Sequence, residues 1–200
     1  MMRILIVGAS GTVGQAALKE LSRRHEIVTA GRSSGDVTVD AMSEESVRAM
    51  YQKAGKVDAV VATAGHTHFG PLAGMTPEQF RKGLNDKLMG QINLVLLGLE
   101  HVNDGGSFTL TSGVLDRDPV RSGANAAAVN GAIGAFVKSA AIEMPRGLRI
   151  NAVSPGLIEE SVRKYDGFFP GHAPVSSARV GLGFAKSVEG AITGQVIIIA

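Results

Sequence analysis

The chain has 200 residues, with 20 basic and 18 acidic side chains, 26 glycines, two tyrosines, and neither cysteine nor tryptophan. Without cysteine, disulfide frameworks, thiolate nucleophiles and thiolate-ligated metal centres are excluded, and the length suits one domain able to bury roughly 70% of its unfolded surface. A formal charge of +2 sets up no field to hold a nucleic acid, and no apolar run approaches the roughly 18 residues of a membrane span, so a cytosolic protein with neither partner is the expectation.

In chain order, RILIVG (3–8) reads as a buried strand and TVGQAALKELSRR (12–24) as the helix after it. EIVTA (26–30) and DVTVD (36–40) are the second and third strands. SEESVRAMYQKAG (43–55) is a helix with an N-cap candidate at Ser43 and a stop at Gly55. KVDAVVATAG (56–65) supplies a fourth strand, Thr76-Pro77-Glu78 opens another helix, a long helix follows over 86–101, and GSFTLTS (106–112) is the fifth strand. A helix of small residues over 124–143 precedes LRINAVSPG (148–156), the sixth strand. Residues 157–192 read as helical or irregular, and QVIIIA (195–200) as a final strand. Short β-rich runs alternating with longer helical ones predict an α/β fold: a doubly wound parallel sheet, covered on both faces, in one domain over 1–200.

GASGTVG (8–14) lies between the first strand and the first helix, with glycines at Gly8, Gly11 and Gly14. In that place the first glycine permits a tight turn, the second lets backbone approach a pyrophosphate, and the third lets helix and strand pack closely. Phosphates would sit on the helix N-terminus, against the amides of Ser10, Thr12 and Val13. The alternative is a glycine-rich turn made only for packing. At the end of the second strand, Gly31-Arg32-Ser33-Ser34 offers a cation and two hydroxyls, with no acid before Asp36. A ribose 2′-phosphate calls for a cation there, whereas a free 2′-hydroxyl calls for a carboxylate, so Arg32 and Ser33 favour NADP over NAD. The alternative for Arg32 is an exposed loop residue. Asp40 either accepts from an adenine amino group or caps the next helix.

GASGTVG (8–14), VATAG (61–65), TLTSG (109–113) and RINAVSPG (149–156) together make the chain resemble the short-chain dehydrogenase/reductase family over nearly its whole length. The resemblance implies a Rossmann-type sheet of about seven strands and a nicotinamide cofactor bound at Gly8, Ser10, Gly11, Thr12, Val13, Gly14, Ala64, Gly65, Pro155, Gly156 and Leu157. It also implies a small-molecule substrate and a homodimer or homotetramer built on the helices at 86–101 and 124–143. Gly131, Ala135 and Ser139, spaced four apart, make a ridge that packs either on its own sheet or on a second subunit.

Such enzymes usually work with an Asn after the fourth strand, a Ser ending the fifth, and a Tyr-xxx-Lys pair in the next helix, where the Tyr transfers the proton. Ser112 matches the serine. The tyrosine position falls on Ala126, the lysine position on Asn130, and the asparagine position on Lys87, so Lys and Asn have changed places. Neither Tyr51, in an early helix, nor Tyr165, beyond the Pro-Gly turn, can fill the motif.

Two readings stay open. In one, the chain is an NADP-dependent oxidoreductase with a rearranged site: Lys87 supplies the cation, Ser112 polarises a carbonyl, Asn130 holds the ribose, and the proton comes from Lys87, Tyr165 or water. In the other, it binds NADP(H) without turnover, as a redox sensor or part of an assembly. His66 and His68 could hydrogen-bond a ligand, but they lack a third partner for a metal, so no metal is expected. Asp116-Arg117-Asp118 and Arg121 read as a solvated charged loop. Tyr165, Phe168, Phe169 and His172, in an irregular stretch with Gly167, Pro170, Gly171 and Pro174, would cover a small, partly apolar substrate or form a subunit contact.

Overall fold

The computed structural model describes all 200 residues. Seven parallel strands form one sheet, ordered β3-β2-β1-β4-β5-β6-β7. They are β1 (Arg3–Val7), β2 (Glu26–Gly31), β3 (Val37–Thr38), β4 (Val57–Ala62), β5 (Val102–Thr111), β6 (Arg149–Pro155) and β7 (Val196–Ile199). Six α-helices flank it: α1 (Thr12–Leu21), α2 (Glu44–Ala54), α3 (Pro77–Gly83), α4 (Gly90–Leu96), α5 (Ala124–Glu143) and α6 (Ser177–Glu189).

Parallel strands covered on both faces have no polar side, which is why the inner strands read as unbroken apolar runs. Leu5 and Val7 of β1 join a cluster with α2, α4 and α5, while Ile4 and Ile6 join one with α1 and α6. Each of these side chains is fully buried, contributing roughly 1.5–3 kcal/mol by removal from water.

The boundaries differ from the sequence expectation where tertiary contacts decide them. The helices expected from residue 76 and over 86–101 form one continuous run, α3, a π-helical turn at Leu84–Met89 and α4, ending at Leu96. A capping box starts it: Gln79 N donates to Thr76 Oγ1 at 3.2 Å and Thr76 N donates to Gln79 Oε1 at 2.9 Å. Gly83 and Gly90 do not break the run, because both are buried at close contacts, Gly83 on Asn125 and Gly90 on Ala41. The first helix stops at Leu21 and not 24. Arg23 and Arg24 lie beyond it and form ion pairs with Glu20, and Arg24 also reaches Glu189 at 2.8 Å. The third strand keeps only two of its five expected residues, since Asp36 is drawn back to accept from Thr29 N and Thr29 Oγ1, each at 2.8 Å. The fifth begins earlier, at Val102, with a bulge before Ser107 pairs with Ala59.

Residues 157–176 form a loop closed at its base by a parallel bridge between Ile158 and Val175, with short turns at Glu159–Ser161 and Arg163–Tyr165. Fully buried Asn125 ties the loop after β4 to α5: its Oδ1 accepts from His68 N at 2.8 Å and its Nδ2 donates to Phe80 O at 2.6 Å. No helix is long and apolar enough to cross a membrane.

Candidate active site

The C-terminal ends of β1, β2, β4, β5 and β6 open into one cleft of about 840 Å³, where the strand order reverses between β1 and β4. Gly8 turns the chain out of β1 with φ near 89°, a conformation that a side chain disfavours. Gly11 is the N-cap of α1, no side chain covers the helix start, and the first amide with a helical partner is that of Gln15, bonded to Gly11 O at 2.8 Å. The preceding helical amides, including those of Thr12 and Val13, are therefore free to receive an anion. Ser10, Gly11, Thr12 and Val13 line the cleft. Gly14 does not, which corrects its expected place among the cofactor contacts: a Cβ there would lie 2.1 Å from Gly8 O, so its role is to let α1 press against the turn.

At the end of β2, Arg32, Ser33 and Ser34 face the cleft, and the Arg32 side chain has no acid or carbonyl partner. Asp36 is turned away, its carboxyl held below the ordinary range by the hydrogen bonds from Thr29. Asp40 lines the cleft while its Oδ1 accepts from Met42 N at 3.1 Å, so one carboxylate oxygen braces the turn before α2, whose cap is Ser43. Ala64, Gly65, Pro155, Gly156 and Leu157 complete this wall. An open helix start, an unpaired guanidinium beside two hydroxyls, and a floor of small residues fit a phosphorylated dinucleotide.

Deeper in the cleft, the π turn carries Lys87. Its wider spacing is marked by Gly90 N donating to Asn85 O, five residues back. Lys87 Nζ donates to Ser112 O at 2.9 Å and to Asn130 Oδ1 at 2.8 Å, so residues from the π turn, the end of β5 and α5 meet on one ammonium. Ser112 Oγ donates to Asn130 O at 3.1 Å. Burial pushes the Lys87 ammonium down to about 8, with Asp116 opposing part of the effect. Gly65 packs on the Lys87 backbone: a Cβ there would stand 2.6 Å from Lys87 Cα. Gln91, buried and not singled out from the sequence, holds the end of β5 from both sides, donating to Thr111 O at 3.0 Å and accepting from Thr111 N at 2.7 Å.

Ala126 lines the cleft beside Asn130. Tyr51 is fully buried in the α2 layer, its hydroxyl donates to Leu94 O, and burial raises its pKa, so it has no route to the cleft. Tyr165 does line the cleft, in an aromatic cluster with Phe69 and Phe169, each 5.7 Å between ring centroids. His66 is also at the cleft, whereas His68 is not. Asp116, Arg117, Asp118 and Arg121 are exposed as expected, but the Arg117 guanidinium also reaches inward: Nη1 donates to the buried Ser154 Oγ at 2.6 Å, and Nη2 reaches Ser154 O. Asn151 serves the backbone, its Oδ1 accepting from Gln195 N at 3.0 Å and its Nδ2 donating to Ile192 O at 2.8 Å.

A family model described as enoyl-(acyl carrier protein) reductase matches residues 2–198. The chain belongs to the short-chain dehydrogenase/reductase family. Among solved structures, a protein from Listeria innocua superposes with a TM-score of 0.98 at 52% identity, covering 100% of both chains. A small-chain dehydrogenase in complex with NADPH superposes with a TM-score of 0.86 at 25% identity, covering 98% of this chain and 95% of its own. A putative ketoacyl reductase of the granaticin polyketide synthase of Streptomyces violaceoruber is 28% identical, covering 86% of this chain and 78% of its own. A short-chain dehydrogenase/reductase is an oxidoreductase that uses a nicotinamide cofactor and acts on small molecules, and this chain carries that fold.

Proposed function

We propose that the protein is an NADP(H)-dependent oxidoreductase acting on a small carbonyl or alcohol substrate through a rearranged site. The convergence of Lys87, Ser112 and Asn130 on one ammonium carries this reading. The family's lysine is absent from α5, yet a buried cation is delivered to the same cleft from the π turn, held by the asparagine that stands in the lysine's place. A site kept only for binding has no need of that cation. Bound NADPH would supply the hydride. Ser112 and the Lys87 ammonium would polarise the carbonyl and stabilise charge developing on its oxygen, while Asn130 and Lys87 would hold the nicotinamide ribose. Gly8, Ser10, Gly11, Thr12 and Val13 would cradle the pyrophosphate, and Asp40, Ala64, Gly65 and Pro155 to Leu157 would border the nucleotide.

The choice of NADP rests on Arg32 and the serines after it, with Asp36 engaged by Thr29. The NADPH-bound relative supports it. Fluorescence titration should show NADPH preferred over NADH, with the Arg32→Ala variant losing about 10- to 100-fold in NADPH affinity and keeping its NADH affinity. Equal affinities in the wild type would remove the assignment. NADPH oxidation over a panel of carbonyls and quinones tests turnover. The alanine at position 126 favours a second reading, a non-catalytic NADP(H)-binding sensor or assembly protein, and tight NADPH binding with no turnover on any substrate would select it.

We also infer a homodimer or homotetramer. Ala128, Gly131, Ala135 and Ser139 lie exposed on the outer face of α5, not against its own sheet, and Ile142 is 87% exposed. Leu96 and Met89 add exposed apolar surface on the neighbouring helical run. Sedimentation at micromolar protein should report the oligomer, and Ala135→Arg should shift it to monomer; a wild-type monomer would overturn the inference.

A further inference from the structure

We propose that His66, oriented by Asp86, is the proton donor of this site and takes over the task of the missing tyrosine. The inference rests on the oxidoreductase reading above. His66 leaves β4 one residue after Gly65, which packs directly on Lys87, and Asp86 immediately precedes Lys87 in the π turn. Both residues line the cleft. His66 Nδ1 lies 3.1 Å from Asp86 Oδ2. The carboxylate fixes Nδ1 as the donor of that pair, so Nε2 is the free ring nitrogen. The His66 side chain is 80% exposed, open to the cleft and to solvent.

The other candidates fit the task less well. Two of the three Lys87 ammonium protons are committed to Ser112 O and Asn130 Oδ1, and Lys87 is less open to solvent than His66. Ser112 Oγ donates to Asn130 O in the free protein and would turn that hydrogen to the substrate oxygen, but an alcohol is too weak an acid to give it up. Tyr165 is held within the aromatic cluster, with Lys164 Nζ over its ring at 5.3 Å from the centroid and no carboxylate to orient it. Among the residues lining the cleft, His66 alone combines an orienting carboxylate, a free nitrogen and access to solvent. In the step, the carbonyl carbon gains a hydride and two electrons, and the C=O π pair moves onto oxygen. That oxygen takes the proton from Nε2 of the imidazolium, and the resulting imidazole is recharged by one proton from water. Lys87 keeps its protons and stabilises the oxygen while it is negative.

The test compares His66→Gln, His66→Ala and Asp86→Asn with the wild type, using the best substrate of the carbonyl and quinone panel. NADPH affinity, followed separately by fluorescence titration, should stay within about twofold in all three. His66→Gln should lower kcat about 10²- to 10³-fold. Added imidazole should restore a measurable part of the rate of His66→Ala and none of that of His66→Gln, whose side chain still fills the place. Asp86→Asn should lower kcat about tenfold with little change in KM, as expected of a positioning residue. Wild-type rates in His66→Gln, or losses that track weakened NADPH binding with no imidazole rescue, would overturn the proposal while leaving the reductase reading in place. A wild type that binds NADPH but turns over nothing would overturn both.

Discussion

Lys87→Met is expected to lower turnover about 10²- to 10³-fold, the scale of removing one preorganised charge from a site where negative charge develops. NADPH affinity should fall far less, because Lys87 would touch only the nicotinamide ribose, while the start of α1 and Arg32 would hold the phosphates. Steady-state rates and a binding titration on the same variant separate the two. A wild-type kcat in Lys87→Met would remove the ammonium from the mechanism. The reductive rate of the wild type should also fall as pH rises through about 8, where the buried ammonium loses its proton.

Stability should move the opposite way. The folded protein sheds the Lys87 proton near pH 8, whereas the unfolded chain keeps it up to the ordinary value of 10.5. Between those values the unfolded state binds more protons, so stability rises with pH across that window, by up to about 3 kcal/mol, and the gain is lost as pH falls through about 8. Urea unfolding of wild type and Lys87→Met at several pH values within this window isolates the effect, since the other titrating groups cancel in the difference. A pH-independent difference between the two proteins would show that the ammonium does not titrate early.

Gly14→Ala is expected to destabilise the fold by more than about 3 kcal/mol. The new methyl would stand 2.1 Å from Gly8 O and 2.8 Å from Ala9 Cα, both backbone atoms of a turn that cannot yield without moving β1. Helix α1 would have to lift away, taking with it the buried Ala16, Ala17 and Leu21 and the amides that would bind phosphate. For a chain of this length the unfolding midpoint should drop by about 6 to 12 °C, and NADPH affinity should fall with it. An unchanged midpoint in a thermal melt would mean that α1 is less tightly seated than the geometry requires.

The strands and the order of layers were legible because their cause is local. A strand buried on both faces must be apolar at every position, as Ile4 to Val7 and Ala59 to Ala62 are. The helix starts at Ser43 and Thr76 were legible for the same reason, each being a short-range hydrogen bond between a side chain and an amide three residues on. The π turn had no such mark. Its extra residue leaves no pattern in composition or periodicity, so the run from Pro77 to Leu96 read as two helices with a gap. Gln91, Asn125 and Arg117 were missed or misread because their partners are 20, 45 to 57 and 37 residues away.

By itself, then, the sequence determined a doubly wound parallel sheet, a glycine turn leading into α1, a cation after β2, and the absence of any tyrosine where this family's proton donor stands. Each follows from residue type and near-neighbour spacing. Only the tertiary structure decided that Lys87 reaches Ser112 and Asn130, that Gly14 stays out of the cleft, and that His66 meets Asp86 at its mouth. Those facts depend on how far a π turn rotates one helix face and on where separate strand ends converge, which are distances fixed by packing and not by the order of residues along the chain.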